Sequence, residues 1–235
     1  MRHTLKLFQI GLRQISKDGM LIVLIPAPFF IGIFLKLAVP FANQILTDKY
    51  AFSIMPWYGL ADGMLICLTP VFVAITSAFL LLEERDQGVS AFYQVTPAEG
   101  VSYLAARIAL PMIGAFLATL IASIAFTLSS LSFSVILLSA LISSFTGIAL
   151  AIMVVSIAGN RVEGLALSKL MGISFIGLIF AWFVPAPYHF IAALLPSFWI
   201  GRLLTDGANL LAFISGLTSC FVWIALFTRR FLRKI

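Results

Sequence analysis

Five stretches of this chain carry no charged side chain: residues 19–35, 63–82, 108–160, 170–201 and 207–228. A helix crosses a bilayer with about 20 apolar residues, so every one of these runs is of spanning length. Of the 235 residues, 62% are hydrophobic, 22 are Phe and only 10% are charged, which is more apolar surface than a soluble domain of this size can bury. The implied solvent is lipid, where the backbone must satisfy its own hydrogen bonds, and runs this long do so as helices.

The run 108–160 is too long for one crossing, and the hydroxyls of Ser129, Ser130, Ser132 and Ser134 suit a tight turn, predicting two spans. The run 170–201 predicts one span and then a piece broken by Pro185, Pro187 and Pro196, with Tyr188 and Trp199 suited to the interface. The expected fold is all-α and polytopic, with six spans near 19–40, 60–82, 108–128, 133–157, 168–185 and 208–228. Residues 1–18 form a separate amphipathic helix on the membrane face, with Leu5, Phe8, Leu12 and Ile15 on one stripe and Lys6, Arg13 and Lys17 mostly elsewhere. Residues 19–235 make up the transmembrane domain.

Charge orients this frame. With the N-terminus inside, 12 of the 15 basic residues lie on the cytoplasmic face, leaving Lys36, Lys49 and Arg202 outside. Both termini are then cytoplasmic in a bacterial plasma membrane, the first span is an uncleaved helix, and the net charge of +6 reports topology and not nucleic acid. Lys36 snorkels to the outer interface. Cys67 and Cys220 fall inside spans without metal-ligand spacing.

The cluster Glu83-Glu84-Arg85-Asp86 is the exception that needs water, because one charge in hydrocarbon costs about 2.5–3.5 kcal/mol. It falls in the cytoplasmic loop between spans 2 and 3. There Thr96, Pro97 and Glu99 form a capping box that starts a helix running through Tyr103 and Arg107 into span 3. Ahead of the cap, Phe92 and Tyr93 offer either a docking surface or a lipid anchor. Glu83 or Glu84 is expected to pair with a base of the N-terminal helix, Lys6 or Arg13.

At these residues the chain resembles the permease subunits of type-2 ATP-binding-cassette exporters. The resemblance rests on Glu83, Glu84, Arg85, Gly88, Thr96, Pro97, Tyr103 and Arg107, on the N-terminal helix, and on the Pro-rich outer piece. It covers essentially the whole chain, although "FYQV" before the "TP" departs from the aliphatic residues more usual there. It implies a cytoplasmic coupling helix that engages a separate ATPase through Glu83, Glu84, Arg85, Gly88, Phe92, Tyr93, Thr96 and Pro97. It also implies short re-entrant helices before span 6, and a substrate path between two permease chains, homo- or heterodimeric, lined by spans 2 and 5. Thr69, Thr76, Ser77 and Ser174 are candidates for that lining, suited to an apolar or amphipathic drug, peptide antibiotic or lipid-like compound.

This chain holds no P-loop, since none of its six lysines is followed by Ser or Thr. It is therefore not expected to be an enzyme or to bind a cofactor itself; ATP and Mg belong to the partner subunit. An ion-coupled secondary transporter is disfavoured because the span interiors lack acids and bases. An intramembrane enzyme is disfavoured because "FISGL" has Phe213 where a serine-protease motif needs glycine. A non-transporting assembly subunit stays open on the residues alone.

Overall fold

A computed structural model describes residues 2–88, 103 and 105–232. Among them are helices and short turns and no strand, and six stretches are long and apolar enough to cross a membrane. The helices used below are α1 (Arg2–Ile15), α2 (Gly19–Leu24), α3 (Ala27–Tyr50), α4 (Tyr58–Asp86), α5 (Leu110–Phe126), α6 (Phe133–Ile157), α7 (Arg161–Ser168), α8 (Ile176–Phe183), α9 (Pro196–Asp206) and α10 (Leu210–Leu232).

Span 1 is α2 plus α3. The break between them falls where Pro26 and Pro28 lack the amides that would bond to the carbonyls of Ile22 and Leu24. It runs ten residues further than expected, to Tyr50, because Asn43, Thr47, Asp48 and Lys49 continue the helix as a polar extension. Lys36 donates to the carbonyl of Ala125 in the last turn of α5, capping that helix end from a neighbouring span.

Spans 2 and 4, α4 and α6, are the most enclosed of the six, and span 1 the least. A proline sits in the middle of α4. Pro70 has no amide to offer the carbonyl of Ile66, and the Ser143 hydroxyl of α6 donates to that oxygen instead, at 2.7 Å. One turn along α6, Gly147 lets the helices close: a Cβ there would lie 3.0 Å from Pro70 Cβ and 3.2 Å from Pro70 O.

The turn between α5 and α6 was legible in its serines. Ser132 caps α6 by accepting from the Val135 amide. Its other anchor comes from span 2: the buried carboxylate of Asp62 accepts from the amides of Leu128 (2.7 Å) and Ser129 (2.9 Å) and from the Ser129 hydroxyl.

Span 5 begins earlier than position 168. Asn160 accepts from the Glu163 amide at 2.8 Å while Glu163 accepts at 2.6 Å from the amide of Gly159, one residue ahead of the cap, a variant of the capping box that starts α7 at Arg161. The span tightens to a 3-10 helix over Lys169–Phe175 before resuming as α8.

Between spans 5 and 6, a 3-10 turn at Tyr188–Leu194 and α9 form a hairpin whose apex is Leu194 to Pro196. Its depth can be read from α10: Ser219 lies nine residues past Leu210, about 13 Å along the helix. The Ser219 hydroxyl and the Trp223 indole N–H (2.9 Å) both donate to the Leu194 carbonyl. On the other side the Ser197 hydroxyl donates to the Ser174 carbonyl of span 5. Irregular backbone survives at membrane depth only when the protein supplies its partners, as here.

Candidate functional site

Consecutive helical residues point about 100° apart, so the four charges ending α4 serve different neighbours. Glu84 faces inward. Its Oε1 receives Arg107 Nη2, and its Oε2 accepts from the Tyr103 hydroxyl at 2.6 Å and from Arg107 Nε at 3.2 Å. Glu84 and Arg107 side chains are each only 1% exposed. Sequence reasoning put the whole cluster in water; Glu84 instead leaves it, because a bidentate guanidinium and a phenol replace its hydration.

Arg107 carries the contact to α1. Its Nη1 donates to the Leu7 carbonyl at 3.0 Å and its Nη2 reaches Gln14 Oε1 at 3.4 Å. Gly11 makes room, since a Cβ there would lie 2.1 Å from Arg107 Nη1. The helix thus docks through Leu7 and Gly11, both buried, beside the predicted stripe of Phe8, Leu12 and Ile15. Arg107 itself sits in a widened π-helical turn, Ala105–Ala109, at the entry to span 3.

Glu83 and Asp86, three residues apart and so on one face, turn toward span 5. Arg161 Nη1 donates to Glu83 Oε2 at 3.2 Å and its backbone amide to Asp86 Oδ2 at 3.0 Å, while Nη2 binds Asp18 Oδ2. Arg85 donates to the carbonyls of Val155 (3.3 Å) and Ala158 (3.0 Å) where span 4 ends. The expected pairing of Glu83 or Glu84 with Lys6 or Arg13 is therefore replaced by Arg161 and Arg107, whose guanidinium forks hold two or three oxygens at once. Gly88 ends the helix at φ +71°, a conformation glycine adopts without a Cβ clash.

Asp18, Gln14 and Arg161 were not singled out from sequence, and Asp86 only as a member of the charge cluster. Topological parity puts them at one end of the bundle with the cluster, but only the folded chain shows which charge meets which. Phe92, Tyr93, Thr96 and Pro97 lie outside the described residues. Thr69, Thr76 and Ser77 line an apolar cavity of about 240 Å³ under α1, and Ser174 lines a second, of about 210 Å³, among spans 4 to 6 and the hairpin apex. The four hydroxyl residues are thus not brought together within one chain.

Asp18 caps α2 by accepting from the amides of Met20 (2.9 Å) and Leu21 (3.2 Å). Its hydrogen bond from Arg161, ahead of all other influences, holds its carboxyl below the usual range, with the two capping amides adding to the effect against partial desolvation. A depressed carboxylate contributes stability that is complete above the unfolded pKa of about 3.9 and is lost as pH falls through the folded value. Asp18→Asn should accordingly be less stable than the parent by a constant margin from pH 7 to 5. That margin should shrink below about pH 4 in thermal unfolding of the purified protein.

No group of acidic, His or Cys side chains suited to a metal occurs among the described residues. What this junction does is join: α1, the ends of spans 2 and 4, and the starts of spans 1, 3 and 5 meet through three arginines, Arg85, Arg107 and Arg161. Residues 11–228 match the family described as "Fluoroquinolones export permease protein Rv2686c-like". The chain belongs to this family. Among curated relatives, the fluoroquinolones export permease proteins Rv2686c and MT2760, from two strains of Mycobacterium tuberculosis, are each 25% identical over 202 residues. The alignment covers 81% of this chain and 77% of each relative. No solved structure matches. Membership in the export permease family agrees with the exporter-subunit resemblance carried by Glu84, Tyr103 and Arg107, which the fold assembles into one cluster.

Proposed function

We propose that this permease is the membrane-spanning half of an ATP-driven exporter, working as a dimer with a separate ATPase that binds its cytoplasmic end. The observation that carries the reading is the buried Glu84–Arg107 pair with Tyr103, which fastens span 2 to span 3 and α1 on either side of the 89–102 segment. A push delivered to that segment reaches both spans through a contact that does not slip. Arg161 extends the same linkage to spans 1 and 5.

In this reading residues 1–18 are a cytoplasmic-face lever, residues 19–235 the permease domain, and both termini lie inside the plasma membrane, as the distribution of basic residues favours. ATP and Mg act in the partner subunit. The cargo is an apolar or amphipathic compound, and the names of the relatives favour a fluoroquinolone-like drug. The path runs between two copies of the chain, with spans 2 and 5 on its sides.

Co-expression with the P-loop ATPase of the same system tests this. Phe92→Ala together with Tyr93→Ala should leave the permease inserted and dimeric while separating ATP hydrolysis from drug efflux in reconstituted vesicles. Normal efflux by the double variant removes the docking role, and failure to copurify any ATPase removes the exporter reading.

A further inference from the structure

We infer that the cavity among spans 4, 5 and 6 holds one acyl chain of an anionic phospholipid whose headgroup meets Arg230. The space measures about 210 Å³ and is partly open. An enclosed apolar cavity of about 150 Å³ holds benzene, so this one has room for about eight carbons of a chain. Leu195 and Pro196, at the apex of the hairpin, line one end. Leu170 and Ile173 of span 5 line its side, and both are also exposed on the outside of the bundle. In a membrane that outside is lipid, so a chain enters sideways without leaving the bilayer.

The wall offers a polar occupant no free side-chain donor among the described residues. The Thr146 hydroxyl donates to the Ile142 carbonyl at 2.8 Å, the Ser174 hydroxyl to the Met171 carbonyl at 2.6 Å and the Trp223 indole to the Leu194 carbonyl at 2.9 Å. Polar groups brought into this space would lose water without gaining a donor, whereas a saturated chain has none to lose.

The charge stands at the other end. The Trp223 and Phe227 rings stack at 5.5 Å and both line the cavity, which fixes the face that α10 turns toward it. Arg230 follows Phe227 by three residues and Trp223 by seven, so it lies on that same face, about 10 Å beyond Trp223 along the axis. It is exposed and has no hydrogen bond or ion pair among the described residues. Arg229 is turned about 100° away. Hollow and guanidinium thus fit within one hydrocarbon leaflet, about 15 Å deep, in the order in which a phospholipid presents tail and head. Only an anionic head gives Arg230 a counter-charge. On the orientation proposed above this leaflet is the cytoplasmic one, where anionic lipids concentrate.

The probes are a phosphatidylglycerol and a phosphatidylcholine, each carrying a diazirine midway along one tail, with the full chain in nanodiscs of the same lipids on both faces and no ATPase. The result then depends neither on export nor on orientation. Phosphatidylglycerol should label Leu170, Ile173 or Phe227 saturably, and about fivefold more than phosphatidylcholine, the effect of one basic residue at an anionic surface. Arg230→Gln should bring the two probes level, while Arg229→Gln, the same loss of charge on another face, should keep the preference. Leu170→Trp and Ile173→Trp should each abolish the labelling by filling the space, with an unchanged unfolding midpoint. Ile179→Trp, also exposed on span 5 but away from the cavity, should leave it intact. Equal labelling by the two lipids, equal loss in the two arginine variants, or labelling that survives both filling variants overturns the inference. So does the absence of label from either lipid in the parent chain, which leaves the space to a drug or to no ligand.

Discussion

Replacing Arg107 by methionine is expected to lower stability by about 3–5 kcal/mol, because it strands a buried carboxylate. Glu84 would keep one phenol from Tyr103 and lose two guanidinium contacts at a position almost without solvent. The Leu7 carbonyl would lose its donor at the same time, releasing α1. Against a total of about 5–15 kcal/mol for a typical fold, this is a large fraction. The double change Glu84→Gln with Arg107→Met should restore most of the loss, since a neutral amide no longer demands a counter-charge. Unfolding midpoints of the parent, single and double variants in one detergent give the comparison. If the double is no better than the single, the cost lies in packing and not in charge.

The second large effect is expected at Gly177, where α8 meets the hairpin between spans 5 and 6. A Cβ at this position would lie 2.5 Å from the Ser197 hydroxyl oxygen and 2.6 Å from the Phe198 amide nitrogen. The serine can rotate away, but the backbone amide cannot without moving α9. Gly177→Ala should cost about 1–3 kcal/mol, typical of overpacking, and should break the Ser197 bond to the Ser174 carbonyl. Hydrogen exchange at residues 195–199 reports it: faster exchange there, with spans 2 and 4 unchanged, is the expected pattern. Unaltered exchange would mean that the hairpin is held by α10 alone.

The six crossings could be read from the sequence because lipid enforces long charge-free runs, and the serine turn before Phe133 was visible for the same reason. Span ends were harder. Thr47 to Tyr50 continue a helix beyond the apolar run, and the capping box at Asn160 starts span 5 before its apolar residues begin. Hydropathy is blind to both, although Asn160 and Glu163 did carry the capping signal. The charge junction was half legible: Glu84, Tyr103 and Arg107 were flagged, but a charged cluster in a hydrophobic chain reads as a solvated one. Burial of Glu84 depends on Arg107 arriving from 23 positions away, and Arg161 reaches Asp18 across 143. Such pairings are properties of the packed bundle and leave no local pattern.

The hydrogen bond from Ser143 to Ile66, opposite Pro70, bears on how the chain can evolve. The proline creates a vacancy in one helix that a different helix fills, so the two positions are energetically coupled although 73 residues separate them. A lineage that first replaces Pro70 regains its own amide and frees Ser143 to vary at little cost. One that first loses Ser143 leaves a bare carbonyl in the most enclosed part of the bundle, where no solvent can stand in for it. Drift through this pair therefore has a direction, with the proline leaving before the serine.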